Sequence, residues 1–241
     1  LMADHRDAWQ GTLKMVFQPG EEGANGAEIM VKEGVLDNPR PQVALAVHVW
    51  NQMPYGSIAA SPGPVMAAAE AFRVVITGKG GHGALPDKTV DPVMIAAMTI
   101  NNLQTIVSRN VGATETAVIS VGSVQSGEAF NVIPDTAELG GTIRTYEPEV
   151  RERVLARVRT IVEGTAEMMG GSAELEMMAI TPALINDPSV TALVREVITD
   201  LLGEDKLTGV KTMGSEDAAF FQHVVPGCYI FAASGPADFE D

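Results

Sequence analysis

The sequence predicts an α/β protein in which a discontinuous α/β domain carries an inserted α+β domain. Three observations carry that reading. Continuous apolar runs alternate with helical patterns near both ends of the chain, as expected of strands buried on both faces of an α/β sheet. Between them, residues 64–178 change rhythm to β-α-β-β-α-β, the order of a ferredoxin-like split βαβ sandwich. The length of 241 residues is enough for one large domain or two smaller ones. Residues 1–63 and 179–241 are therefore expected to form one α/β domain around the insertion.

Each element has its own signal. Residues 1–9 read as the last turns of a helix, and residues 13–17 as a buried strand stopped by Pro19-Gly20. A carboxylate pair follows on the turn, and a helix resumes over residues 27–33 and ends at Gly34. Residues 42–49 are a second apolar run, closing on His48-Val49-Trp50, and residues 57–61 a short strand before Pro62-Gly63-Pro64, a hinge or boundary. Residues 71–77 alternate as a half-buried strand does. Asp91-Pro92 opens a helix to about residue 108. Strands are expected at 117–125, 136–145 and 173–178, with an amphipathic helix over 149–169 before the last of them. Further on come a helix over 188–202, a cap-like start at Met213-Gly214-Ser215-Glu216-Asp217 to a helix over 218–223, and a strand over 228–233. The chain reads as cut at both ends, with residues 238–241 following that strand and no closing element.

Composition excludes several classes of function. A formal charge of −15 argues against nucleic acid or an anionic membrane surface as partner, since both need a basic face. No apolar run is long enough to cross a bilayer as a helix. The single cysteine, Cys228, rules out an internal disulfide framework, fits a reducing compartment, and makes the cytoplasm the expected location. It lies in an apolar strand-like run, where inert packing is its expected role. Arg151, Arg153 and Arg157 are interleaved with acids on an amphipathic helix and read as a solvated face with i,i+4 pairing. The 12 methionines read as adaptable core filling.

The chemistry concentrates on Phe17-Gln18-Pro19-Gly20-Glu21-Glu22-Gly23. Adjacent acids at the end of a buried strand repel unless something positive lies beside them. A divalent metal answers this, with one carboxylate as ligand and the other as general base on water. The same pair would also suit an acidic helix N-terminus. Of the four histidines, His48 ends an apolar run as the glutamates do, where ligands gather in open α/β sheets. His82 lies in the glycine-rich loop Gly80-Gly81-His82-Gly83, which can approach a ligand or serve as an ordinary exposed loop. His5 and His223 have no such setting and read as solvent-facing or dipole-compensating.

Six motifs in order carry a family resemblance. They are the carboxylate stretch above, Val47-His48-Val49, Gly78-Lys79-Gly80-Gly81-His82-Gly83, Asn131-Val132-Ile133-Pro134-Asp135, Gly141-Thr142-Ile143-Arg144 and Gly214-Ser215-Glu216-Asp217. Together they resemble the M20 metallopeptidase family, in its amidohydrolase branch of N-acyl-amino-acid, hippurate and indoleacetyl-amino-acid hydrolases. The resemblance implies a catalytic α/β domain of zinc-peptidase type and an inserted lid and dimerisation domain. It implies Glu21 as the general base, Glu22 and His48 as metal ligands, and a site for two divalent metals (Zn, Mn or Co). His82 would stabilise the oxyanion, reaching the neighbouring subunit's site in a homodimer. Asn131 and Arg144 would contact the substrate, a small N-acylated amino acid, with Arg144 suited to bidentate capture of its carboxylate. The family's Cys-Gly-His-Asp-type ligand motif and its final histidine ligand have no match here.

Three functions follow as expectations. The first is metal-dependent hydrolysis of an amide by a Glu-activated water. The second is an inactive or fragmentary homologue that keeps the dimerisation scaffold. The third is a carboxylesterase; the serines near glycines (Ser61, Ser123, Ser126, Ser215 and Ser234) sit in no Gly-x-Ser-x-Gly elbow, so a serine mechanism has little to stand on.

Overall fold

A computed structural model describes residues 4–236. Expectations for the start of the leading helix and for residues 238–241 lie outside the described residues. In chain order the strands are β1 (Ala44–Pro54), β2 (Ile58–Ala59), β3 (Gly63–Met66), β4 (Ala68–Thr77), β5 (Gly81–His82), β6 (Ala117–Ser126), β7 (Val132–Ile133), β8 (Thr136–Thr145), β9 (Ser172–Thr181), β10 (Leu184–Asn186), β11 (Leu207–Thr208) and β12 (Gly227–Gly235). The helices are α1 (Gly26–Lys32), α2 (Pro92–Arg109), α3 (Pro148–Met168), α4 (Pro188–Leu202) and α5 (Ala219–Gln222).

The strands form two main sheets. One, in the order β1-β12-β2-β11, joins the two ends of the chain. Its longest ladder is the parallel pair β1 and β12, in register from Ala44 opposite Gly227 to Trp50 opposite Ala233. The other is fully antiparallel in the order β6-β8-β4-β9. A short β10-β3 ladder adjoins the first sheet, and the ribbon β5-β7 adjoins the second.

Helix α2 starts where Asp91 accepts from the backbone N–H groups of Val93 (2.8 Å) and Met94 (3.4 Å), with Pro92 as first helical residue. Its buried stripe includes Ile95, Leu103 and Ile106. Helix α3 buries Val150, Val154, Val158 and Val162, one residue per turn. Both stripes cover one face of the antiparallel sheet, packing on Phe72, Val74, Ile76, Leu139 and Ile143. In α4 the Asp187 side chain caps Ser189 and Val190 in the same way.

The structure corrects four expectations. Residues 13–17 belong to no ladder, and Leu13, Met15 and Phe17 are 48, 65 and 83% exposed. The apolar run had the composition of a strand but finds no partner: a cleft of about 1010 Å³ lies between residues 12–18 and the free edge of β1. Lys14 is held instead by the carbonyls of Val35 (2.8 Å) and Asp37 (2.5 Å). β1 is not buried on both faces either; Leu45, Val47 and Val49 are each at least 60% exposed and alternate with half-buried residues. The leading helix is, among the described residues, a single 3-10 turn at Arg6–Ala8. Finally, the arginines of α3 reach across the fold rather than along the helix. Arg151 pairs with Glu70, which is 2% exposed, Arg153 pairs with Glu115, and Arg157 donates to Asn110 (3.3 Å). The i,i+4 pair on this helix is Arg159 with Glu163.

Cys228 is fully buried, and burial pushes its thiol up. A thiol-specific disulfide reagent at pH 8 is therefore expected to leave the native protein unlabelled and to label one thiol per chain in denaturant. Leu139→Ala, at a fully buried position in the antiparallel sheet, is expected to cost about 2–5 kcal/mol in a urea titration.

Candidate metal centre and hydrolytic site

The carboxylate turn is closed by small residues and by an outside brace. Gly26 lies so near the Pro19 carbonyl oxygen that a Cβ there would come within 1.7 Å of it, so only glycine lets α1 start at this point. Asn25 takes a left-handed conformation (φ 48°), and its side chain donates to the Ile180 carbonyl (2.9 Å) at the end of β9. Ala24 donates to Gly20 (3.0 Å) and Gly23 to Glu21 (2.8 Å), closing the turn with backbone hydrogen bonds.

The brace comes from Asp217. One of its oxygens accepts from the Gln18 side chain and the other from the Ala27 N–H (2.9 Å). Glu216, next to it, accepts from the Ala218 N–H (3.1 Å) and from the Tyr229 hydroxyl (2.5 Å). Both acids are almost wholly buried, at 4% for Glu216 and 1% for Asp217. The cap-like helix start expected at these acids does not form: the Asp217 side chain caps no part of α5 and turns to residues 190 or more positions earlier. The signal available in the sequence was two adjacent acids running straight into the apolar Ala218-Ala219-Phe220-Phe221.

Glu21 is half-buried and within electrostatic reach of His48, Glu216 and Asp217. Burial first, then the Glu216 and Asp217 carboxylates, push its carboxyl up; His48 opposes this and Glu22 adds to it. Burial likewise pushes Asp217 up, against the hydrogen bond from Ala27. Glu22 is exposed. His48 lies on β1, its ring 6.4 Å from that of Tyr229 and 5.9 Å from that of Trp50.

Hydrogen bonding separates the groups free to bind a ligand from those already satisfied. The His48 Nδ1 lies 2.7 Å from the Val49 carbonyl, which can only accept, so Nδ1 carries the proton and Nε2 presents a lone pair. Metal-binding imidazoles commonly have this arrangement. No side-chain hydrogen bond to Glu21 or Glu22 occurs among the described residues, whereas each oxygen of Glu216 and Asp217 has a protein donor. Glu22 and His48 thus suit a divalent metal as far as they go. Among the described residues no three such groups converge, and two fall short of the three protein ligands usual for a catalytic zinc.

Of the remaining candidates, Arg144 lies on the antiparallel sheet, and His82 and Asn131 lie at the ribbon beside it. The ribbon brings His82 and Asn131 side by side: His82 is opposite Val132, and Gly83 N–H donates to the Asn131 carbonyl (2.8 Å). The His82 Nδ1 accepts from the Ala84 N–H (3.0 Å), so its proton sits on Nε2, which is left as a donor. Arg144 is at the other end of β8, opposite Ala69, with one guanidinium nitrogen (Nη1) shut off from solvent and without a partner among the described residues. Thr181 is also opposite Ala69, so Arg144 lies two strand spacings, about 10 Å, from the chain that holds Asn25. Its separation from the Thr136 end of β8, next to the ribbon, is roughly 27 Å.

Comparison with known proteins gives the family. Residues 1–240 match the description of peptidase family M20/M25/M40. The chain belongs to that family. It is 36% identical over 231 residues to an N-acetylcysteine deacetylase of Bacillus subtilis (strain 168), covering 96% of this chain and 60% of that protein. It is 34% identical over 236 residues to the IAA-amino acid hydrolase ILR1-like 4 of Arabidopsis thaliana, covering 96% of this chain and 53% of that protein. The crystal structure of the Bacillus subtilis YXEP protein, described as a dinuclear metal binding peptidase from the M20 family, superposes with a TM-score of 0.74 at 32% identity, over 90% of this chain and 55% of that one. This M20 chain therefore has a mixed α/β fold and spans little more than half the length of these relatives. No helix among its described residues is long and apolar enough to cross a membrane.

The two key histidines are expected to be opposite tautomers. Long-range nitrogen–proton correlation spectra at pH 8 should show His48 protonated on Nδ1 and His82 on Nε2. The same tautomer at both would contradict the hydrogen bonds to Val49 and from Ala84.

Proposed function

We propose that this chain carries the general base and part of the metal site of a hydrolase that cleaves the amide bond of N-acyl amino acids or similar small conjugates. The observation that carries the reading is the division of labour among the acids. Each oxygen of Glu216 and Asp217 already has a protein donor, while no side-chain hydrogen bond engages Glu21 or Glu22 among the described residues and the Nε2 of His48 keeps its lone pair. The likeness to the N-acetylcysteine deacetylase and to the IAA-amino acid hydrolase supports the substrate class.

In this reading Glu22 and His48 hold a divalent metal (zinc, manganese or cobalt), one of two per site. When bound, it supplies Lewis-acid polarisation of water and of the scissile carbonyl. Glu21 takes a proton from the attacking water and delivers it to the leaving amine nitrogen. Its raised carboxyl suits both halves of that transfer, since a base closer to neutrality also returns the proton readily. His82 donates its Nε2–H to the oxyanion of the tetrahedral species. Arg144, with its unpartnered nitrogen, binds the substrate carboxylate, and Asn131 contacts the substrate from the ribbon.

Residues 64–178 act here as an inserted ferredoxin-like lid and dimerisation unit, and residues 1–63 and 179–241 as the catalytic unit. The length of β8 supports a homodimer. With His82 beyond one end and Arg144 at the other, His82 serves the site of a second copy rather than its own. β6 is a sheet edge with Val118 and Val124 exposed, and α2 exposes Met94 and Met98, which suits that contact. A second reading, an inactive homologue that keeps only the dimerisation scaffold, has the shortage of a third metal ligand in its favour.

Glu21→Gln is expected to lower kcat for N-acetyl amino acids by about 10²–10⁴-fold with metal content unchanged. An unimpaired variant would remove Glu21 as the base. An equimolar mixture of Glu21→Gln and His82→Ala chains, refolded together, should recover about a quarter of wild-type activity, because half of randomly paired dimers hold one intact site. No recovery above the separate variants would place His82 in its own chain's site. No hydrolysis by the metal-supplemented wild-type chain would favour the scaffold reading.

A further inference from the structure

We propose that Asp217 is the positioning residue of the carboxylate turn, and that with Glu216 it sets Glu21 and Glu22 relative to His48. The inference rests on the roles proposed above for those three groups and adds what holds them in place.

A carboxylate that is 1% exposed needs a use, since leaving water costs it dearly unless donors replace the lost hydration. Two ordinary uses are absent among the described residues: Asp217 does not cap α5 with its side chain, and it is in no ion pair. Its two oxygens instead accept from the Gln18 side chain and from the Ala27 N–H. Those two donors bracket the turn. Gln18 precedes it and Ala27 follows it, with Glu21 and Glu22 between. A single rigid carboxylate thus fixes the entry and exit of the segment by two charge-assisted hydrogen bonds.

The next residue carries the reference to the other side of the site. Glu216 accepts from the Tyr229 hydroxyl, and Tyr229 lies on β12 directly opposite Ala46 of β1, two residues before His48. The turn and the histidine strand are therefore measured from one buried dipeptide. Residues 18–22 join no ladder, so the turn is tied to the rest of the fold by this brace and by the Asn25 side chain on Ile180.

The roles predict different outcomes for two substitutions. In Asp217→Asn the amide oxygen can keep the Ala27 N–H and the amide nitrogen can donate to a rotated Gln18, so geometry survives while charge is lost. In Asp217→Ala both bonds go. Amide hydrogen exchange followed by mass spectrometry should show residues 18–27 exchanging about tenfold faster or more in Asp217→Ala, with β4, β8 and β9 unchanged, and within about threefold of wild type in Asp217→Asn. Co²⁺ titrated calorimetrically into metal-free protein should bind about tenfold more weakly in Asp217→Ala and within about threefold in Asp217→Asn. Unchanged exchange in Asp217→Ala overturns the proposal, and so does an Asp217→Asn variant as damaged as Asp217→Ala, which would assign the effect to charge. If Asp217→Ala does not fold, Gln18→Ala cuts one of the two bonds at a half-exposed side chain and should speed exchange over the same residues; no change there also overturns it. If wild type takes up no Co²⁺, the metal roles of Glu22 and His48 fall, and the exchange result decides the positioning role by itself.

Discussion

Taking a carboxylate out of water is affordable only where hydrogen-bond donors are waiting, and in this chain that requirement joins parts of the sequence that are far apart. Asp217 finds its donors at Gln18 and Ala27, and Glu216 finds one at Tyr229. The consequence is a local concentration of negative charge with no Lys or Arg ion pair among the described residues. Burial first, and then these carboxylates, push the Glu21 carboxyl up, with His48 opposing them. Such a place favours a cation, which is the physical link between a buried brace and a metal site.

The second constraint is length. A strand advances about 3.4 Å per residue, so the ten residues of β8 carry Arg144 far from the ribbon at the opposite end. Groups that belong to one reaction by resemblance therefore stand at two ends of one rigid sheet. The sheet is stiffened by the apolar stripes of α2 and α3 on one face and by the fork of Arg73 on Glu138 (2.5 Å for each bond) on the other. A stiff element with chemistry at both ends is suited to bridging two sites, which fits the homodimer that the family resemblance implies.

Much of the local structure was legible. α2 announced itself through Asp91-Pro92, α4 through the helical pattern over 188–202, and α3 through its amphipathic pattern, because caps and periodicity are properties of neighbouring residues. β8 was bounded by the same residues in sequence and structure. Residues 13–17 were misread for a physical reason: an apolar run states a preference for burial, while a strand also needs a partner edge, and the cleft beside β1 denies it one. The arginines of α3 were misread because i,i+4 spacing is visible along a helix, whereas Glu70, Glu115 and Asn110 are brought alongside only by packing.

The sequence by itself determined the kinds of chemistry available: a glutamate pair on a turn, a histidine at the end of an apolar run, another among glycines, an arginine at the end of a strand. It did so because residue type and spacing fix local backbone geometry and reactive groups. Only the tertiary structure decided which acids are free and which are spent, which histidine nitrogen bears the proton, and that His82 and Arg144 lie far apart. Those outcomes depend on donors and acceptors supplied from elsewhere in the fold, such as Tyr229 for Glu216 and the distant Asp217 for the turn, and no local pattern records them.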